Sequence, residues 1–264
     1  DSFAINKITS VEASQFFDDN MKSVKTFWHE KLDRVDFELP PFADKMINTL
    51  KSNLAYILIN RDGPAIQPGS RSYERAWIRD GALTSGALLR LGLKDEVREY
   101  IDWYSQYQFP NGKIPCVVDK RGADPTLEND SHGEYIYAVR EYFSFTHDTL
   151  FLKKKFDTII KAVDYIEYLT NQRMTAQYKK EDSLAYYGLM PESISHEGYS
   201  SKPMHSYWDD FFTLRGLKDA VTIASVLNEK KTEQRFAKLC DEFRKNLYNS
   251  INLAMKKHNI DYIP

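Results

Sequence analysis

Cysteine is nearly missing from this sequence: 264 residues contain two, Cys116 and Cys240. They lie far apart and fit no metal-ligand spacing, so neither a disulfide framework nor a cysteine-ligated metal site is implied. No apolar run approaches the roughly 18 residues of a membrane span, so no membrane partner is expected. An excess of one charge is lacking as well. Lys and Arg number 36 against 38 Asp and Glu, a formal net charge of −2, which removes the electrostatic case for nucleic acid. HExxH and CxxC patterns are absent, and the glycines of "RDGPAIQPGS" match neither phosphate-binding fingerprint. No metal and no cofactor is therefore expected. The first residue is Asp1 rather than Met, which reads as a processed chain or a piece of a longer one.

What is present is ordinary in bulk and unusual in one respect. Hydrophobic content of 42% and charged content of 28% describe a globular protein, and the length suits one large domain or two small ones. Aromatic content is high at 14%, with 17 Tyr and 15 Phe. Such rings form a large core or stack on the apolar faces of sugars. Composition alone favours the core.

Periodicity predicts an almost wholly helical chain. Residues 1–41 form a linker segment, with an amphipathic helix carrying Phe16, Phe17, Val24, Trp28, Leu32 and Val35 before the break at "LPPFAD". Over 42–264, seven helical patterns follow: about 44–60, the stretch "SYERAWIRDGALTSGALLRLG" at 72–92, 94–108, 130–145, 149–173, 206–227 and 232–257. The best strand candidate is the short "GKIPCVVD". Helices two and three, four and five, and six and seven are joined by "GLKD", "THD" and "NEKK", links short enough to make antiparallel neighbours. The other connections are long, and each feeds the start of an even-numbered helix. The alternation places the long loops on one rim.

Those loops carry chemistry. The first ends in Tyr73, Trp77, Arg79 and Asp80; the second holds Asp124, Glu128, Asn129, Asp130, Ser131, His132 and Glu134; the third holds Glu192, His196, Glu197, Tyr199, His205, Tyr207, Trp208, Asp209 and Asp210. Taken singly, each group has a structural explanation. Acids in a first helical turn favour the helix dipole, Arg79 and Asp80 make a structural pair, and loop histidines are commonly satisfied locally. Taken together, three loops deliver carboxylates, histidines and rings to one topological place, which points to a polar ligand pocket.

At this point the residues resemble a family. "YERAWIRDGAL" is similar to the motif that opens the second helix of glucoamylases and related six-hairpin glycosidases; "ENDSHGEYIYA" sits where their fourth helix begins; "YWDDFFTLRGLKDA" resembles their sixth; and "HNIDYIP" resembles a later stretch. The resemblance covers roughly residues 44–264. It implies an all-α fold, an α/α toroid of helical hairpins, of which this chain is roughly the N-terminal half plus a linker helix, with the remainder of the polypeptide closing the ring. It implies a carbohydrate substrate and an inverting glycoside hydrolase. Asp209, directly after the Trp, matches the general acid, although glucoamylases have Glu there; Asp210 stands beside it and Glu192 is the alternative. Arg79 and Asp80 match the pair that binds hydroxyls of the terminal sugar, with Tyr73, Trp77, Asp130, His132, Glu134, His205 and Trp208 as further substrate-binding residues. The base is expected beyond Pro264. A phosphorylase on the same fold, or a non-catalytic glycan-binding or scaffold protein, are the competing expectations.

Overall fold

The computed structural model describes residues 10–194 and 202–264; His196, Glu197 and Tyr199 lie outside the described residues. Eight α-helices form among those described: α1 Ser10–Leu32, α2 Asp44–Ile59, α3 Ile78–Arg90, α4 Lys94–Tyr104, α5 Ser131–Thr146, α6 Thr149–Asn171, α7 Tyr207–Val226 and α8 Lys230–His258. The short links close helices α3–α4, α5–α6 and α7–α8 into antiparallel hairpins. Left-handed residues follow four of the helices: Gly92 after α3, His147 after α5, Asn228 after α7 and Asn259 after α8. Asp148 then caps α6 through the Phe151 amide, at 2.9 Å.

The hairpins stack as two layers. Helix α5 lies between α3 and α7, while α4, α6 and α8 pack behind them. The first layer is close-packed because glycine stands where α5 crosses α7. A Cβ on Gly133 would lie 2.0 Å from the Phe212 carbonyl oxygen, and one on Gly216 would lie 2.5 Å from the Gly133 Cα. No side chain fits there, so the two backbones touch. Part of the aromatic content fills the core: Tyr100, Tyr104, Tyr135, Phe151, Phe236 and Phe243 are buried. The phenol of Tyr104 donates to the Pro115 carbonyl at 3.0 Å, so its polar tip is satisfied in the core. An all-α hairpin fold is thus what the amphipathic patterns produce, and none of the helices among the described residues is long and apolar enough to cross a membrane.

One expectation needs correction. Helix α3 begins at Ile78, not at the start of the 72–92 stretch. Tyr73 ends a short 3-10 turn, and Ala76–Trp77 form β1, which pairs antiparallel with β2 (Val117–Asp119); β2 pairs in turn with β3 (Gly122–Ala123). The Ile78 amide donates to the Cys116 carbonyl at 3.0 Å, which holds the chain extended up to the helix start. The apolar residues of the first layer differ in depth. Ala82 and Leu88 are fully buried, whereas Leu83 and Phe211 are 46% and 41% exposed.

The linker helix is anchored at its C-terminal end. Lys31 pairs with the buried Glu96 of α4, Arg34 Nη1 donates to the Gly92 carbonyl at 3.0 Å, and Lys51 of α2 pairs with Asp33. Trp28 and Leu32 are half-buried there, while Phe16, Phe17 and Val24 near the other end stay exposed.

Candidate active site

Helices α3, α5 and α7 begin at the same end of the first layer, and their opening residues meet. Arg79, in the first turn of α3, donates from Nη1 to Glu128 Oε2 at 2.9 Å and to Asp130 Oδ2 at 3.3 Å. Trp208, in the first turn of α7, donates its indole N–H to the same Asp130 oxygen at 2.9 Å. Asp130 therefore joins all three helix starts. It is 1% exposed, and its other oxygen accepts from Ser131 Oγ at 3.3 Å.

Trp208, Asp209 and Asp210 are successive residues of one turn, so their side chains leave the helix axis about 100° apart. Each finds a different partner. Trp208 reaches Asp130, Asp209 accepts from Ser193 Oγ at 2.7 Å, and Asp210 accepts the Met190 amide at 2.9 Å. Asp209 thus faces the seam between the α5 side and the third long loop.

Carboxyl groups outnumber the cation they share. Asp80, Glu128, Asp130, Glu134 and Asp209 influence one another around Arg79. Like charges withdrawn from water cannot all ionise, so several protons are retained. Burial, then the charge of Asp130, raises the Asp209 carboxyl to about 8. The same two causes raise Glu128 to about 7, against the pull of Arg79. Glu134 is completely buried, and burial and then Asp130 hold its carboxyl well above the usual range. Burial also raises Asp80, opposed by Arg79. Burial works against the Arg79 cation, but Asp130 and Glu128 outweigh it and raise its pKa further.

Two residues expected to face substrate are placed in supporting positions. His132 is fully buried; its Nδ1 accepts the Ile114 amide at 3.2 Å, and its ring sits edge-on to Tyr165 with centroids 4.9 Å apart. Burial lowers it to about 3, so the ring is neutral and belongs to the core, not to the pocket surface. Asp210 is buried and raised to about 7 by burial, and it fixes the Leu189–Met190 segment through the Met190 amide. Its turn of the helix points it away from Asp130. The first loop's rings stand at the rim: Tyr73 is 62% exposed, 6.2 Å from the Trp77 ring, and Arg75 lies over Trp77 at 5.3 Å while bridging Asp119 and Asp124 at 2.8 Å each. Glu192 pairs with Arg173 and, at 3.1 Å, with His205, rather than joining the acids.

In the sequence Glu128 stands on the pocket-bearing loop without an assigned role, and Ser193 is not singled out. Glu128 stands two residues before Asp130, and its place on the same loop was the available signal. Ser193 had none, because its bond to Asp209 spans a long irregular loop. Lys113 was missed too. It is buried, and its Nζ donates to the Pro125 and Thr126 carbonyls at 2.5 and 2.8 Å, which ties down the loop that carries Glu128 and Asp130.

The structure is similar to that of an alpha-L-rhamnosidase from Dictyoglumus thermophilum, with a TM-score of 0.54 and 14% identity over 76% of this chain and 22% of that one. A rhamnosidase from Klebsiella oxytoca with rhamnose bound matches at a TM-score of 0.45 and 17% identity, over 69% and 33%. The likeness to the first shows a shared fold, and this chain spans about a fifth of that protein's length. No curated protein matches the sequence. Residues 43–261 match the family GDE_C, amylo-alpha-1,6-glucosidase. With the hairpin fold and the ordered sequence motifs pointing the same way, the chain belongs to the amylo-alpha-1,6-glucosidase family.

Proposed function

We propose that this chain carries the terminal-sugar pocket and the general acid of an inverting glycoside hydrolase acting on α-linked glucosides, with the base, and the helices that close the ring, supplied by polypeptide outside these 264 residues. One observation carries the reading. The Asp209 carboxyl is buried, held by Ser193 at 2.7 Å, and kept protonated to about 8. A group that must hand a proton to a leaving oxygen at neutral pH has to hold that proton first. Burial and then Asp130 supply the environment that keeps it there, and Arg79 holds Asp130 in place at 3.3 Å.

In this mechanism the sugar ring enters against Arg79 and Asp80, whose donors and acceptors match adjacent hydroxyls. Asp209 protonates the glycosidic oxygen. A second carboxylate activates water from the opposite face, with the two carboxyls about 6.5–9.5 Å apart. The family description, amylo-alpha-1,6-glucosidase, supports an α-1,6-linked glucose as substrate. A phosphorylase would replace the base by phosphate, and a binding protein would lack turnover altogether.

Kinetics and calorimetry on the full-length protein test the proposal. Asp209→Asn removes the proton, and general acids contribute about 10²–10⁴-fold, so turnover falls by that order while sugar binding persists. Arg79→Ala weakens ground state and transition state together, so affinity falls as well as rate. Wild-type turnover in Asp209→Asn, with loss in Glu192→Gln, would move the acid to Glu192.

A further inference from the structure

One carboxyl of the cluster has no part in the mechanism above. Glu134 follows Asp130 by one turn of α5, its amide donating to the Asp130 carbonyl at 3.1 Å, so the two side chains leave the same face of the helix. The Glu134 carboxyl meets the carboxyl of Asp130. Among the described residues no amide, hydroxyl or cationic donor reaches either of its oxygens. The side chain is completely buried. It cannot turn outward, because the next residue back, Gly133, holds α5 against the backbone of α7.

The donors nearby are committed elsewhere. Arg79 Nη1 donates to Glu128 and to Asp130. Tyr100 of α4 lies so close to α3 that a Cβ on Gly81 would sit 2.0 Å from its phenol oxygen, and that phenol donates to the Trp77 carbonyl at 3.4 Å. The charged and titratable groups around Glu134 are thus Arg79 and Asp80 from α3, Tyr100 and Tyr104 from α4, and Glu128 and Asp130 at the start of α5, with Asp209 of α7 next to Asp130.

Two carboxylates in contact away from water repel, and an anion cannot donate, so a proton lies between them. Asp130 already accepts from the Arg79 guanidinium and the Trp208 indole, donors that favour an anion. The proton therefore sits on Glu134. We propose that Glu134 is a positioning residue, a neutral carboxylic acid that donates a hydrogen bond to Asp130 from beneath the pocket and holds it against Arg79 and Trp208. Asp130 is then fixed from three sides, by α3, by α7 and by its own helix. Its use in turnover rests on the hydrolase reading above; the hydrogen bond itself does not.

Infrared difference spectroscopy on the full-length protein in heavy water reads the proton directly, because a protonated carboxyl and a carboxylate absorb in separate regions. At about pH 9, Asp209 and Glu128, raised to about 8 and about 7, are mostly ionised. The wild-type spectrum should still hold a protonated-carboxyl band that Glu134→Gln removes. Removal of carboxylate bands in its place overturns the proposal. The second reading is kcat/KM on isomaltose. Glu134→Gln keeps a donor at the same position and stays within about twofold of wild type, whereas Glu134→Leu, of similar size without a donor, falls about tenfold, the scale of one hydrogen bond to a charged group. Wild-type kcat/KM in Glu134→Leu, or a tenfold loss in Glu134→Gln, overturns the positioning role, and the glutamine variant decides alone if the leucine variant does not fold. If the wild-type protein hydrolyses no glucoside, the hydrolase reading fails, and the infrared band still decides whether Glu134 donates to Asp130.

Discussion

Replacing Asp209 with asparagine should flatten the dependence of stability on pH. The Asp209 carboxyl is 2% exposed and its pKa is raised from 3.8 to about 8, first by burial and then by Asp130. In the unfolded chain that carboxyl ionises near its ordinary value. Between the two values the folded state holds a proton that the unfolded state has released. Stability from this group is therefore complete below about pH 4 and is lost as pH rises through about 8, at about 1.4 kcal/mol per pH unit inside the window. Glu128 and Asp210, both raised to about 7, add slopes of the same sign below pH 7. From pH 7 to 8 their contributions fade, leaving Asp209 and the buried Glu134, of which the substitution removes only the first. Urea unfolding followed by circular dichroism at pH 5, 6, 7 and 8 gives the two curves. Wild type should lose stability steadily across the series. Asp209→Asn should lose about 1.4 kcal/mol less per pH unit from pH 5 to 7, with the difference tapering toward pH 8. Parallel curves for the two proteins would refute the claim that Asp209 is protonated at neutral pH, and with it the reason for choosing it as the acid.

Other substitutions probe the frame. Gly133→Ala places a methyl group 2.0 Å from the Phe212 carbonyl oxygen, so α5 and α7 must separate; a loss of about 1–3 kcal/mol or more is expected, read as a fall in melting temperature of several degrees. Asp130→Asn removes the charge that helps raise Asp209, so the pH at which stability is lost should move down, which the same urea series would show. Lys113→Met removes the donor to the Pro125 and Thr126 carbonyls, and hydrogen exchange of residues 124–130 should accelerate while that of α6 does not.

The helices were legible because burial imposes period on sequence. The pattern at 149–173 became Thr149–Asn171, and that at 232–257 became Lys230–His258. The positions of the long loops followed from the short links, and with them the meeting of Arg79, Asp130, Trp208 and Asp209. The two-residue strands β1 and β3 are too short to show alternation, whereas β2 lies within the "GKIPCVVD" candidate; a hydrogen bond between Ile78 and Cys116, not a local propensity, holds off the start of α3 until Ile78. The division of labour inside the cluster was hidden as well. His132 and Glu134 sit beside each other in type and position with pocket residues, yet His132 supports a loop amide and Glu134 lies wholly beneath the surface. Only depth separates those roles, and a list of polar residues carries no depth.

The crowding of carboxyl groups around Arg79 has a calorimetric consequence. A neutral sugar that enters between them replaces water and offers hydroxyl groups to the shared protons, which shifts the balance between protonated and ionised carboxyls. Binding of an uncharged ligand then moves a fraction of a proton between protein and solution. The heat of binding measured at pH 7 in phosphate and in Tris, whose ionisation enthalpies differ widely, should therefore disagree. Since Asp209 and Glu128 are the groups raised to about 8 and about 7, the disagreement should shrink toward pH 5, where both are protonated with or without ligand.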